Sequence, residues 1–237
     1  MKASKLLTVL PMFALLLTGC DKSMKQEDFV AKLNEAKAYL TEHADEIKNI
    51  RIKDTNKLGS EMYNYKEGEF YSHTYVDGVI LFIPTTAKVA TWKEDGKYYH
   101  GENYNFFKTD VPTKEITEEE FNTYMAAGKA TIMEQLMYPI ARAEGLIDGS
   151  TYEEGHKPEN KFILTYKGEA QLKSKEYYKL SSEDTEWKER TITVGLKNNL
   201  PVRYITKDTS EKGWNYTLNK AAVDIPTWES SESGSDA

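Results

Sequence analysis

Between two runs of strand-forming sequence lie residues 117–145, TEEEFNTYMAAGKATIMEQLMYPIARAEG, and this helical insert determines which faces of the flanking β-structure can be buried. Thr117 followed three residues later by Glu120 is a capping box, in which each side chain satisfies the other's backbone amide. Glu118, Glu119 and Glu120 also complement the positive end of the helix dipole. Phe121, Met125, Gly128, Ile132, Leu136 and Ile140 recur at spacings of three and four, giving one apolar stripe that Met133 and Met137 broaden. Pro139 lacks the amide that a helix interior needs, so a break is expected between Gln135 and Tyr138. A short second segment, Ile140 to Glu144, would then end at Gly145. Such a broken, methionine-rich pair can fill gaps in an ordinary core or form an adaptable wall for an apolar ligand.

On the N-terminal side, from Asn49 to Phe107, the apolar period is two and turn signals fall at short intervals: Lys57-Leu58-Gly59, Lys66 to Glu69, Val76-Asp77-Gly78-Val79 and Glu94-Asp95-Gly96-Lys97. Asp-Gly tolerates the positive φ angles of a type I′ hairpin, so the strands between these turns read as antiparallel. Tyr63, Tyr65, Tyr71, His73 and Tyr75 line one face. Val79-Ile80-Leu81-Phe82-Ile83 reads as a strand apolar on both faces, which requires cover on both. The 117–145 helices are the candidate cover.

On the C-terminal side, strands are expected over Phe162–Tyr166, Ala170–Lys179, Thr185–Leu196, Pro201–Lys207 and Trp214–Lys220. Asn198-Asn199 makes a tight hairpin turn, and Asp208 to Gly213 makes another. Ile192, Val194 and Leu196 alternate with Thr191, Thr193 and Gly195, so one face of this later sheet is wet.

Ser23 with Gln26 is a second capping box, and Phe29, Leu33, Ala36, Leu40, Ala44 and Ile47 continue as the buried stripe of an amphipathic helix over roughly 24–48. Residues 229–237 lack apolar groups and are expected to be disordered. No internal repeat is present. The rest of the chain, 20–228, reads as one α+β domain.

At the front of the chain, Lys2 and Lys5 precede an apolar run from Leu6 to Leu17, then Thr18, Gly19 and Cys20. This is the pattern of a secretory signal in residues 1–19. The run is about 12 residues long, whereas a spanning helix needs roughly 17–25, and Pro11 interrupts it. Leu17-Thr18-Gly19-Cys20 resembles the lipobox of bacterial lipoproteins. The resemblance implies cleavage before Cys20, a diacylglyceryl thioether on its sulfur, and a palmitate-bearing chain tethered to the extracytoplasmic face of the cell membrane. Cys20 is the only cysteine, so the exported body would have no internal disulfide and must be held by packing.

Composition narrows the partners. Hydrophobic residues make up 39% and aromatics 12%, with 16 Tyr, as expected for a folded β-rich body. The formal charge of −7 becomes −9 once Lys2 and Lys5 are removed, which repels phosphates and argues against nucleic acid and against a polybasic membrane patch. Four arginines (Arg51, Arg142, Arg190, Arg203) against 27 lysines, with no disulfide, suit a Gram-positive surface. A monomer is expected.

Motifs for catalysis are lacking. There is no G-x-S-x-G, no S-x-x-K after Cys20, no phosphate-binding glycine loop and no H-E-x-x-H. His43, His73, His100 and His156 are dispersed, and His100-x-Glu102 offers at most two ligands on one strand face, so no metal is expected. Glu183-Asp184-x-Glu186 reads as a charged turn. No enzyme activity and no cofactor are expected. Aromatic strands bearing Trp92, Tyr98, Tyr99, Tyr104, Trp187 and Trp214 could stack on sugars, though cross-strand aromatic pairing explains them as well.

The order helix, antiparallel strands, central helices, antiparallel strands, behind a lipobox and with the segment Asn199-Leu200-Pro201-Val202-Arg203-Tyr204, resembles the LolA/LppX-like exported lipid carriers. That resemblance implies a curved antiparallel sheet, an incomplete barrel, wrapped around helices with an apolar cavity between them. The expected ligand-binding residues are Ile80, Phe82 and Trp92 on the sheet and Met125, Ile132, Met133, Leu136 and Met137 on the helices, holding a lipid or acyl chain. The alternative is a non-catalytic envelope protein with a protein or glycan partner.

Overall fold

The computed structural model describes residues 21–46, 49–54, 60–80, 83–104, 109–150, 156, 158–179, 185–208 and 211–218. In chain order these form β1 (Lys22–Ser23), α1 (Gln26–Glu42), a 3₁₀ turn (Ala44–Glu46), β2 (Asn49–Asp54), β3 (Ser60–Lys66), β4 (Phe70–Ile80), β5 (Ile83–Glu94), β6 (Lys97–Tyr104), β7 (Thr109–Ile116), α2 (Glu118–Asp148), β8 (Glu159–Leu164), β9 (Ala170–Tyr178), β10 (Lys188–Lys197), β11 (Leu200–Lys207) and β12 (Glu211–Leu218). The strands build a single antiparallel sheet in the order β1-β8-β9-β10-β11-β12-β2-β3-β4-β5-β6-β7. It is curved and does not close into a barrel. The fold is α+β, and β12 pairing with β2 joins the two halves of the chain into one layer.

Both helices lie on the concave face. α1 packs on β9, β10 and β11, and α2 crosses from β5 and β6 over β3 and β4 to β10 and β11. The shared core takes Phe29, Leu33 and Leu40 from α1, Ile132, Leu136, Ile140 and Leu146 from α2, and Leu172, Ile192 and Val194 from the sheet. Each is 0–2% exposed. The alternation expected in β10 holds, with Ile192, Val194 and Leu196 buried.

Four local expectations need correction. α2 is one continuous helix of 31 residues, about 46 Å long at 1.5 Å per residue, with Pro139 and Gly145 buried inside it. An interior proline costs about 3 kcal/mol. Leu136, Ile140 and Leu146, all fully buried around it, each contribute about 1.5–3 kcal/mol and outweigh that penalty. The helix stops at Gly149 instead, whose φ of 80° is the left-handed conformation glycine adopts without strain. The Thr117–Glu120 capping box is present, with the Thr117 amide donating to Glu120 Oε2 at 2.8 Å and the Glu120 amide to Thr117 Oγ1 at 3.2 Å.

Secondly, α1 has no side-chain cap, and Lys25 is its N-cap. Ser23 is engaged in β1, opposite Ile163, so the sheet took the residue from the helix. The helix also ends earlier than expected, at Glu42, and Ile47 lies outside the described residues. Thirdly, Val79–Ile83 is not one strand. Ile80 stands opposite Ile83 at the end of the β4–β5 pair, and the register shifts between Asp77 and Val79. Asp77-Gly78 is therefore a bulge, not a hairpin turn; an extra residue in one strand is the other arrangement that a flexible glycine permits. The Asp95-Gly96 and Asn198-Asn199 turns form as expected, with positive φ at all four residues. Fourthly, β7 was not anticipated. Pro112 sits in it because β7 is an edge strand, where a missing amide breaks no ladder. The segments 1–20 and 219–237, including the expected signal and tail, lie outside the described residues.

Candidate functional site

α2 divides the concave face. On one flank Glu144 accepts from Lys37 of α1 at 2.9 Å, and Met137 and Met133 lie two and three turns before Glu144 on the same side. The opposite flank carries Tyr124, Gly128, Tyr138 and Arg142 and faces the sheet on the side of α2 away from α1. At Gly128 the helix lies directly on the sheet: a Cβ there would be 2.4 Å from the Tyr71 ring. This is a close approach that only glycine allows.

Aromatic rings from helix and sheet meet along the open flank. Tyr138 packs edge-on against Tyr204 of β11 with centroids 5.2 Å apart, and Tyr204 stacks at 5.7 Å on Trp214, its direct partner in β12. Tyr124 stacks on His100 of β6 at 4.2 Å. Tyr124 is 41% exposed, Tyr138 48%, Trp214 39% and Tyr75 37%, so these rings present apolar surface to an open trough. Tyr204 and Tyr216 form its floor. Burial raises the pKa of both hydroxyls, with a hydrogen bond to Tyr138 adding to the effect at Tyr204, so the floor stays neutral.

Three polar groups border the trough. Glu176, 3% exposed, accepts from Arg142 of α2 and from Arg190 of β10. Burial acts to lower the Arg190 pKa, but the hydrogen bond and charge of Glu176 together with Tyr204 and Tyr178 raise it above its ordinary value. The Arg190 guanidinium also lies 4.8 Å over the Tyr178 ring. Two guanidinium groups share one carboxylate, so the cluster keeps a net positive charge and spare donors. Further along, Tyr63 donates to Glu61 at 2.5 Å and stacks on His73 at 4.2 Å. His73 holds the Glu61 carboxyl below its ordinary value against the opposing effect of burial. Burial raises the Tyr63 hydroxyl and pushes Tyr71 up to about 12. At the β6 end, His100 bonds Thr91 at 2.8 Å and approaches Glu102 at 3.4 Å.

The ligand residues expected from sequence do not assemble at one place. Met125, Ile132 and Leu136 are buried in the core, and Met133 and Met137 pack at its margin on the α1 flank. Trp92 lies on the convex face in a small cluster with Phe70, Ala90 and Tyr99. Its neighbour Thr91 points the other way, to His100 and thus to α2. Of Ile80 only the backbone is described, and Phe82 and Cys20 lie outside the described residues. No group of three or more His, Cys, Asp or Glu able to hold a metal occurs among the described residues.

The trough residues Tyr138, Arg142, Glu176, Arg190, Tyr204 and Trp214 were missed. One signal was available, the pairing of Tyr138 and Arg142 at i,i+4 on the polar side of α2 in a chain with four arginines. No protein-family model, no curated protein and no solved structure matches this chain.

Proposed function

We propose that the chain is an exported lipoprotein, anchored through a lipidated Cys20, whose open concave trough binds an amphiphile. The apolar part of the ligand lies on Tyr138, Trp214 and Tyr75, and an anionic end meets Arg142 and Arg190. The lipobox-like Leu17–Cys20 supports the address, and the helix-filled, unclosed sheet is the architecture expected of LolA/LppX-like carriers. One observation carries the binding reading: Tyr138 of the helix and Trp214 of the sheet stay 48% and 39% exposed while both pack on the buried Tyr204 between them. A wall of aromatic rings with a few convergent polar groups is the usual make-up of a small-molecule site.

Titration of the purified chain with palmitate, followed calorimetrically, tests this. Binding is expected, with Tyr138→Ala plus Trp214→Ala weakening it more than about tenfold, since two lost ring contacts remove roughly 1.4 kcal/mol or more. Arg142→Gln is expected to weaken palmitate more than the uncharged hexadecanol. Equal affinities in wild type and double variant would overturn the trough as the site.

A further inference from the structure

We infer that the β1–β8–β9 end of the sheet is a membrane-docking surface for anionic lipid, so that the body lies flush on the bilayer in place of hanging from a flexible linker. The inference rests on the proposed lipid anchor for the placement of the chain, but the surface has evidence of its own.

The first observation is the lack of slack. Lys22 and Ser23 pair with Leu164 and Ile163, and the Met24 amide donates to the Phe162 carbonyl at 2.8 Å. Cys20 is two residues before Lys22, so chain geometry keeps an acyl-bearing sulfur within roughly 10 Å of this sheet edge. A tether this short leaves the β8 edge no room to stand away from the lipid.

The second is charge. The net charge of −7 argues against a basic patch over the chain as a whole, but locally Lys161 and Lys173 are placed directly opposite each other across β8 and β9. Like charges in that position destabilise a sheet unless something neutralises them. Among the described residues neither has a carboxylate partner, nor does Lys167 at the adjoining turn, while Lys22, opposite Leu164, lies on the other face of the same strands. The neighbouring carboxylates are engaged elsewhere, Glu169 by Arg203 at 3.2 Å and both Glu159 and Glu189 by Lys175 at 3.5 and 3.3 Å. An anionic bilayer supplies the missing counter-charge.

The third is the hairpin tip. Tyr166, 68% exposed, and Leu164, 37% exposed, flank the β8–β9 turn, with Lys167 lying 5.4 Å over the Tyr166 ring. A tyrosine, a leucine and a lysine whose stem can extend to the headgroups are the residue types that settle at a membrane interface.

The test places the full chain on vesicles of phosphatidylcholine with and without phosphatidylglycerol, carrying brominated acyl chains. Tryptophan placed by Tyr166→Trp is expected to be quenched, and tryptophan placed by Tyr124→Trp on α2 beside β6, at the other end of the strand order, is not. Lys161→Glu with Lys173→Glu is expected to weaken binding of the Cys20→Ser chain to phosphatidylglycerol vesicles by more than about tenfold. Equal quenching at both positions, or charge reversal without effect, overturns the docking surface. The anchor is read separately: Cys20→Ser that leaves the mass and the membrane fractionation of the cellular protein unchanged removes the lipidation reading, and the vesicle assay of that same chain still decides the surface.

Discussion

The two flanks of α2 are built from the same sheet and serve opposite ends. Under α1, the concave face is aliphatic and sealed, with Leu33, Leu40, Leu172 and Val194 at 0–2% exposure. Beyond it, Glu176 and Arg190 follow along β9 and β10, while Tyr204 and Trp214 continue the Leu172–Val194 row across β11 and β12, with Trp214 39% exposed. Side chains in the first region gain by excluding water; in the second they keep aromatic surface and hydrogen-bond donors in reserve. On the proposed reading, stability and recognition are thus divided across the sheet, with α2 between them.

That contrast can be broken from either side. The largest expected effect is Leu172→Ala, which opens a cavity in the sealed half and lowers unfolding free energy by about 2–5 kcal/mol, read by urea denaturation, while palmitate affinity changes little. Tyr138→Ala and Trp214→Ala invert the pattern, costing under about 1 kcal/mol each in stability while removing the ligand. If Leu172→Ala abolished binding at a temperature where it stays folded, the two regions would be one.

A smaller effect is expected with pH. Glu61 is held below its ordinary pKa of 4.5 by His73, so its contribution to stability is present above that value and is lost as pH falls through the folded pKa. Glu61→Gln should flatten the acid limb of the stability curve below about pH 4.5, and an unchanged limb would show that the pair matters little.

Much of this architecture was legible where one residue type has one physical use. Asn198-Asn199 and Asp95-Gly96 tolerate positive φ and made the turns. Thr117 and Glu120 made their cap. Phe29, Leu33, Ala36 and Leu40 made the buried stripe of α1. The failures came where tertiary structure overrode a local preference. Pro139 stayed helical because the residues around it are buried, Ser23 joined a strand that only folding brings near, and Asp77-Gly78 became a bulge inside a longer ladder. The site was harder still. Arg142 and Glu176 are 34 residues apart and meet only when α2 crosses the sheet. The methionine stripe suggested a ligand wall, but that side of α2 is the one that carries Met133 and Met137 towards α1, and its stripe is used for packing.

Native mass spectrometry of the chain purified from its own cells, with organic extraction of whatever it carries, bears most directly on the trough. The account predicts an added mass corresponding to one amphiphile, retained by Leu172→Ala and lost from the Tyr138→Ala, Trp214→Ala double variant. A wild-type protein that is always empty and takes up no amphiphile when one is offered would contradict it.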